Sequence, residues 1–253
     1  MTCISKWLRA ATFRSRPCRL PRLRNKSVRL SALVAVHVVA GIICLGAGAV
    51  AAFVKPKGGR RHVSSGRVFL YALAVSAITA GVLLCFRFQP FFFALSVLSF
   101  YFGFSGYRVL ARNGNAAHFT DWFAAGGVVA VTTLSLWWGA TGVLGADAGI
   151  VLGVLGLAVV AALYDLWRFA FPRVVIPMRS LSTFEHLTKI GGAYIAVWCA
   201  FSANVGTGVW SQIAPALIGT PLLLIVANRY WRKWRHGTAT APTSGKASSG
   251  AIE

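Results

Sequence analysis

The sequence contains seven long runs of apolar residues, and these runs constrain the fold more than any other feature. They lie at about Leu30–Val54, Val68–Phe86, Phe91–Ala111, Trp122–Leu144, Ile150–Trp167, Leu187–Val205 and Ile213–Trp231. A run of about 18 or more apolar residues is long enough to cross the hydrocarbon core of a bilayer, and a helix satisfies its own backbone hydrogen bonds there. We therefore predict an all-α, polytopic membrane bundle of about seven transmembrane helices.

The composition favours a membrane location and argues against a soluble nucleic-acid-binding protein. Hydrophobic residues make up 57% of the chain and charged residues only 12%, about half the charged share of soluble domains. The net charge of +21 would favour nucleic acid in a soluble protein. Here the basic residues lie almost wholly in the tails and between the apolar runs. We predict no nucleic-acid partner, and a bilayer partner whose inner leaflet is anionic.

Basic residues in the short segments between the runs predict the orientation of the chain. They lie at or just beyond the C-terminal ends of the first, third, fifth and seventh runs: Lys55, Lys57, Arg60, Arg61, Arg67, Arg108, Arg112, Arg168, Arg173, Arg179, Arg229, Arg232, Lys233 and Arg235. Short segments rich in Lys and Arg stay in the cytoplasm. The predicted transmembrane domain, residues 30–235, therefore has its C terminus on the cytoplasmic side.

Two tails flank this domain. Residues 1–29 form a basic leader with about nine Lys and Arg and no acid, although seven crossings place it outside. We favour a true start near Val28 or Leu30. A targeting segment, a helix lying on the membrane surface, and a helix count that is wrong by one are the alternatives. Residues 236–253 are rich in Thr, Ser, Gly, Ala and Pro, which predicts a disordered tail.

Six short motifs are distributed along the apolar runs. They are His37-Val-Val-Ala-Gly41, Lys57-Gly58-x3-His62-x3-Gly66, Ser99-Phe-Tyr101-Phe-x2-Ser105-Gly106-Tyr107-Arg108, Tyr164-Asp165-Leu166, His186-Leu-x-Lys189-x2-Gly192-Ala193-Tyr194-Ile195-Ala196 and Pro215-x2-Ile218-Gly219-Thr220-Pro221. Together they resemble the DUF2306 family of bacterial membrane proteins of unknown function over about Leu30–Lys233, with departures at Lys189-Ile190 and Trp198-Cys199. The resemblance implies a multi-pass protein of the bacterial inner (plasma) membrane and brings no reaction with it.

Ionisable residues near the ends of the runs suggest one candidate site. In the predicted topology these residues lie at cytoplasmic helix ends: His62, His118, Asp121, Asp165, Glu185 and His186. His62 and His186 share a level, and with Asp121 or Asp165 they would supply the donors that Zn²⁺ or non-haem iron takes. Such a metal would activate water. No HxxxH or HExxH spacing supports the site, and interfacial hydrogen bonding or contact with lipid phosphate is the alternative for the two histidines.

His37 is a second candidate because it lies by itself in the outer part of the predicted membrane domain. It precedes the inner end of the first run by about 17 residues, or roughly 25 Å. No other histidine shares that depth, which argues against a haem held there by two histidines. Ionisable residues within membrane helices are usually functional. Hydrogen bonds to Ser99, Ser202 or Asn204 would instead give a neutral imidazole a structural role.

Structural roles also compete for the acidic residues. Asp165 is placed to form a helix-end ion pair with Arg168. Asp121 and Glu185 are placed to complement the dipoles of the fourth and sixth helices. Arg108 either reaches the inner headgroups or pairs with Asp165 or Asp121. His118 ends the polar segment Asn113-Gly-Asn-Ala-Ala-His118 and is predicted to lie in a solvated loop.

Three functions are left open by the sequence. A non-catalytic binding or assembly role is favoured, because nearly every polar residue has a structural explanation. A membrane-embedded metal- or haem-dependent redox or hydrolytic enzyme with the His/Asp site is the second. A small proton-coupled transporter that uses His37 is the third, although the sequence has no inverted repeat or interrupted helix pair. The cofactor, the ligand and the formation of a homo-oligomer are not decided by the sequence.

Overall fold

The computed structural model describes residues 21–112, 116–142, 148–171 and 179–239, and side chains within residues 30–232 of these ranges except 179–180. All of the regular structure in these residues is helical. The helices are α1 (Pro21–Phe53), α2 (Arg60–Phe86), α3 (Pro90–Arg112), α4 (Phe119–Ala140), α5 (Ala148–Ala170), α6 (Arg179–Val205) and α7 (Val209–Ala239). The predicted all-α helix bundle is confirmed.

Four helices extend well beyond the apolar runs that predicted them. α1 begins at Pro21, so the last nine residues of the predicted leader are helical, and α7 continues to Ala239. α2 begins at Arg60 and α6 at Arg179, about two turns before the expected starts. Helical hydrogen bonding continues through polar residues, whereas an apolar run marks only the part suited to hydrocarbon. Residues 1–20 and 240–253 lie outside the described residues.

Six of the seven helices are long and apolar enough to cross a membrane. These candidate spans are Leu30–Phe53, Arg60–Phe86, Pro90–Arg112, Phe119–Ala140, Ala148–Ala170 and Val209–Arg232. α6 has the length of a span, but it is less apolar because Glu185 and Lys189 lie within it. By length and composition, then, the helices are those of a multi-pass membrane protein.

The distribution of apolar side chains agrees with that class. Large apolar side chains face outward along the spans, including Ile42, Ile78, Val160 and Ile225. In water such a surface would be costly, whereas lipid solvates it. α3 lies at the centre of the bundle, since 56% of its apolar window is buried against 17% for α1 and none for α7.

The helix pairs that form the bundle place α3 and α6 side by side at its centre. α3 contacts α2, α4, α5 and α6, while α1 packs mainly on α2 and α7 packs on α6. Two glycines lie where α3 and α6 pack closely. A Cβ on Gly106 would lie 3.0 Å from the Lys189 Cβ, and one on Gly192 would lie 2.7 Å from the Phe102 ring. This close packing brings the polar side chains of the two helices together.

Candidate functional site

The three acidic residues that the structure describes, Asp121, Asp165 and Glu185, lie on neighbouring helices and all face basic side chains. They form the centre of a group that we call the polar cluster. Its members are Tyr101, Ser105, Arg108, Arg112, Asp121, Tyr164, Asp165, Arg168, Glu185 and Lys189. The cluster joins α3, α4, α5 and α6 near the segments rich in Arg and Lys.

Asp165 forms the most deeply buried part of the polar cluster. The Lys189 Nζ donates to both carboxylate oxygens at 2.6 Å, and the Tyr101 hydroxyl donates to Oδ2 at 2.6 Å. The exposed fractions are 0% for Asp165, 3% for Tyr101 and 6% for Lys189. The predicted Asp165–Arg168 ion pair is wrong, because Asp165 points into the bundle and Arg168 pairs with another acid.

That other acid is Glu185. It accepts a hydrogen bond from the Tyr164 hydroxyl at 2.6 Å and forms an ion pair with Arg168. The predicted role of Glu185 in complementing the dipole of the sixth helix is wrong, because α6 begins at Arg179 and has no acid in its first turn. Glu185 instead lies almost two turns inside α6 and fastens that helix to α5.

Asp121 combines a local role with a long-range one. Its Oδ2 accepts from the backbone N–H of His118 at 2.9 Å in a capping box at the start of α4, which confirms its predicted helix-start role. Arg108 forms two hydrogen bonds to the carboxylate, at 2.7 and 2.9 Å, so Arg108 pairs with Asp121 and not with Asp165. His118 is exposed, as predicted for a solvated loop, and it serves as the N-cap.

Two members of the polar cluster are incompletely paired. The nearest carboxylate oxygen to the Arg112 guanidinium is Asp121 Oδ2, at 3.9 Å. The guanidinium carbon also lies 4.5 Å from the centroid of the Phe169 ring. The buried Ser105 hydroxyl has no hydrogen-bond partner among the described residues. Both side chains line a cavity of about 10 Å³ that also contacts Tyr101, Asp121 and Asp165. The cavity therefore has two polar groups available for a ligand.

His62 and His186 have matching hydrogen bonds to the backbone of neighbouring helices. The His62 Nδ1 lies 3.0 Å from the Ala51 carbonyl oxygen, and the His186 Nδ1 lies 2.9 Å from that of Gly106. A carbonyl only accepts, so these contacts assign the proton to Nδ1 and leave a lone pair on Nε2.

The carboxylates predicted to complete a metal site with these histidines are already engaged. Both oxygens of Asp121 and both oxygens of Asp165 accept hydrogen bonds from basic side chains. Within the described ranges, no three His, Cys, Asp or Glu side chains are grouped so as to hold a metal ion.

Lys57 donates to the same Ala51 carbonyl as His62. Burial, with a smaller contribution from the Lys55 charge, lowers the pKa of Lys57 below its ordinary value.

His37 contacts α2, in contrast to its predicted partners. Its Nδ1 lies 3.1 Å from the Ser76 carbonyl oxygen and 3.0 Å from the Thr79 Oγ1. The predicted contacts with three other polar residues are wrong, because those side chains bond to backbone within their own region. Ser99 donates to Ser96, Ser202 donates to Cys199 and Ser211, and Asn204 donates to Ala200.

Sequence reasoning did not assign Tyr101, Ser105 or Lys189 to a site. Lys189 carries the clearest signal that could have found it, since it lies ten residues inside α6, and a charge at that depth needs a partner. Tyr101 and Ser105 carry no comparable signal, because both residue types are common in helices and only the packing reveals their neighbours.

Comparison with protein-family models, with curated proteins and with solved structures finds no match for this chain. The resemblance to the DUF2306 family therefore stays a prediction. The class of the protein rests on its own helices, which are those of a multi-pass membrane protein. Its particular feature is a buried polar cluster between α3, α4, α5 and α6.

Proposed function

We propose that the protein has a non-catalytic binding role in the bacterial inner membrane, with its C terminus in the cytoplasm. We further propose that the polar cluster binds one small anion between Arg112 and Ser105. The observation that carries this proposal is the incomplete pairing of these two side chains at the same cavity. The positions of the basic segments support the orientation.

The charge balance of the polar cluster favours an anion. Four basic side chains face three carboxylates, which leaves one positive charge in excess. Arg112 holds that excess, because the Asp121 Oδ2 beside it already accepts from Arg108 and from the His118 backbone. A guanidinium has five N–H donors. A largely buried charge that shares its carboxylate with another arginine is incompletely compensated, so an anion beside Arg112 would stabilise the cluster.

The Ser105 hydroxyl and the size of the cavity limit what the anion can be. Buried hydroxyl groups nearly always have a hydrogen-bond partner, and the one of Ser105 has none among the described residues. A cavity of about 10 Å³ is close to the smallest that holds a single water-sized species. Among common anions a monatomic one such as chloride comes nearest to this size, whereas a phosphate is too large.

Chloride-dependent stability tests this proposal. The purified protein in detergent would be unfolded thermally in chloride and in gluconate salts at equal ionic strength. At a chloride concentration ten times above the dissociation constant, binding adds about 1.4 kcal/mol to the free energy of unfolding. We expect that increment to disappear in Arg112→Gln and in Ser105→Ala.

The matched control for these variants is Arg87→Gln, because Arg87 is exposed and caps the far end of α2. It should keep the full chloride increment. The increment is read within each variant, so a variant that is less stable overall still gives an answer. An equal chloride increment in all four proteins, or none in the wild type, would contradict an anion site beside Arg112.

A membrane-embedded metal enzyme is the second candidate, and the orientation of His62 and His186 favours it. Histidines that bind metals usually donate the other ring N–H to a carbonyl or carboxylate, as the Nδ1 of both residues is placed to do. Elemental analysis of protein purified without metal-affinity resin tests this candidate. Zinc or iron near one equivalent, lost in both His62→Ala and His186→Ala, would support it. Metal at background level in the wild type would reject it.

A further inference from the structure

Four polar side chains form a stripe along one exposed face of α2. Arg60, Ser64, Arg67 and Tyr71 follow one another at spacings of four, three and four residues, which keeps them on the same side of a helix. With Val63 and Val68 they line a groove of about 470 Å³. We call these four residues the α2 stripe.

Among the described residues, the two arginines of the α2 stripe have no partner for their charge. Neither Arg60 nor Arg67 forms a hydrogen bond or an ion pair with the residues that the structure describes. The three described acids are all engaged in the polar cluster, on other helices. The first turn of α2 contains no acid either. The groove therefore presents two positive charges, which favour the binding of an anionic ligand.

Beyond Tyr71 the same face of α2 becomes apolar. Val75, Ile78 and Val82 continue the spacing of the α2 stripe, and all three are exposed. Ile78 lies 11 residues after Arg67, about 16 Å along the helix axis. That distance is about half the thickness of the hydrocarbon core and matches the depth that one leaflet contributes. One exposed face thus joins a cationic groove to an apolar track that reaches the depth at which an acyl chain of one leaflet ends.

We infer that the α2 stripe binds an anionic phospholipid. The phosphate would accept hydrogen bonds from Arg60 and Arg67, which flank it on either side of the Ser64 hydroxyl. The acyl chains would lie against Val75 and the apolar residues that follow it. A soluble phosphate compound would use the arginines but would leave the apolar track without a role. This site is on α2 and is independent of the anion proposed for the polar cluster.

Lipid titration followed by native mass spectrometry tests the inference on the full chain in detergent. The two probes are dioleoylphosphatidylglycerol, which is anionic, and dioleoylphosphatidylcholine, which has the same acyl chains and no net charge. We expect the wild type to retain the anionic lipid preferentially. Loss of one arginine contact should weaken that binding about fivefold, so Arg67→Gln should bind about fivefold more weakly and the Arg60→Gln/Arg67→Gln double variant more weakly still.

Arg61→Gln is the matched control, because Arg61 has the same charge and lies one residue from Arg60 but does not line the groove. It should bind within about twofold of the wild type, because an exposed charge that makes no direct contact with the phosphate is screened by salt and contributes little. Three results would overturn the inference. They are equal retention of the two lipids, an equal loss in Arg61→Gln, and displacement of the lipid by water-soluble glycerophosphoglycerol, which would indicate a site for free phosphate esters.

Discussion

The basic side chains of the α1–α2 pair and those of the group α3–α6 have opposite environments. In the second group, Arg108, Arg168 and Lys189 turn toward the interior, where each meets an acid. On α2, Arg60 and Arg67 line an outward groove, and no described acid faces them. The chain has 26 basic residues and only five acids. The positions of those few acids therefore determine which basic side chains can form ion pairs inside the bundle.

The polar contacts within the α1–α2 pair also differ from those within the group α3–α6. Here His37 meets Thr79 and the Ser76 carbonyl, and the Cys44 thiol lies near the Phe69 carbonyl. None of these contacts joins two opposite charges, in contrast to the ion pairs of the polar cluster. Because breaking a buried ion pair strands a charge, the two regions should respond to substitution with very different losses of stability.

The largest effect is expected from Asp165→Ala. This change leaves the Lys189 ammonium without its carboxylate in a buried site and removes the acceptor of the Tyr101 hydroxyl. Breaking a buried pair from one side costs about 3–5 kcal/mol. The free energy of unfolding, measured by titration with a denaturing detergent, should fall by that amount.

The Asp165→Ala/Lys189→Ala double variant is the control for that prediction. Removing both charges strands neither of them, so the double variant should lose less than the sum of the two single losses. A loss below about 1 kcal/mol in Asp165→Ala, the size usual for an exposed pair, would remove the proposed contrast between the two regions.

A smaller effect is expected from closing the space between α3 and α6. In Gly106→Ala the new methyl group would lie 3.0 Å from the Lys189 Cβ and 3.1 Å from Ile190 atoms, which are contacts tighter than van der Waals. Overpacking of this kind costs about 1–3 kcal/mol. The same detergent titration would measure it.

Gly126→Ala on α4 is the matched control, since no described atom outside the local helix backbone lies within 4 Å of its added methyl group. Alanine has the higher helix propensity, so this variant should keep its stability or gain up to about 1 kcal/mol. Equal losses in the two glycine variants would show that the α3–α6 contact has no special importance.

The sequence was sufficient for the helices and for the helix-start position of Asp121, but it did not reveal the long-range ion pairs. The capping box of His118 and Asp121 was predictable because its two residues are three positions apart. The partner of Asp165 was not, because it depends on how α5 and α6 are rotated about their axes. Arg168 was the nearer residue in sequence, yet Lys189 is the partner in space. Depth along a helix can be counted from sequence, whereas rotation is set by packing.

Arg108→Lys tests whether the pairing in the polar cluster depends on geometry as well as charge. A lysine keeps the positive charge but cannot make the two parallel hydrogen bonds that Arg108 makes to Asp121. We expect a loss of about 1 kcal/mol in the free energy of unfolding. Arg67→Lys is the control on α2 and should stay within about 0.5 kcal/mol of the wild type. A similar loss in both would mean that Arg67 has a structural partner.

The smallest effect is expected in the α1–α2 pair, from Thr79→Val. The substitution keeps the shape of the side chain and removes the hydroxyl that lies 3.0 Å from the His37 Nδ1, while the Ser76 carbonyl continues to accept. Hydrogen bonds between membrane helices contribute about 0.6 kcal/mol on average. Thr133→Val on α4 is the control, because the Thr133 hydroxyl bonds only within its own helix among the described residues.

The difference between Thr79→Val and Thr133→Val would therefore isolate the interhelical contact of His37. A difference near 0.6 kcal/mol would give His37 a modest structural role, in line with the uncharged contacts of the α1–α2 pair. A difference as large as the one expected for Asp165→Ala would instead mean that His37 carries a charge in the folded protein. In that case ionic contacts would not be confined to α3–α6, and the division between the two regions would have to be abandoned.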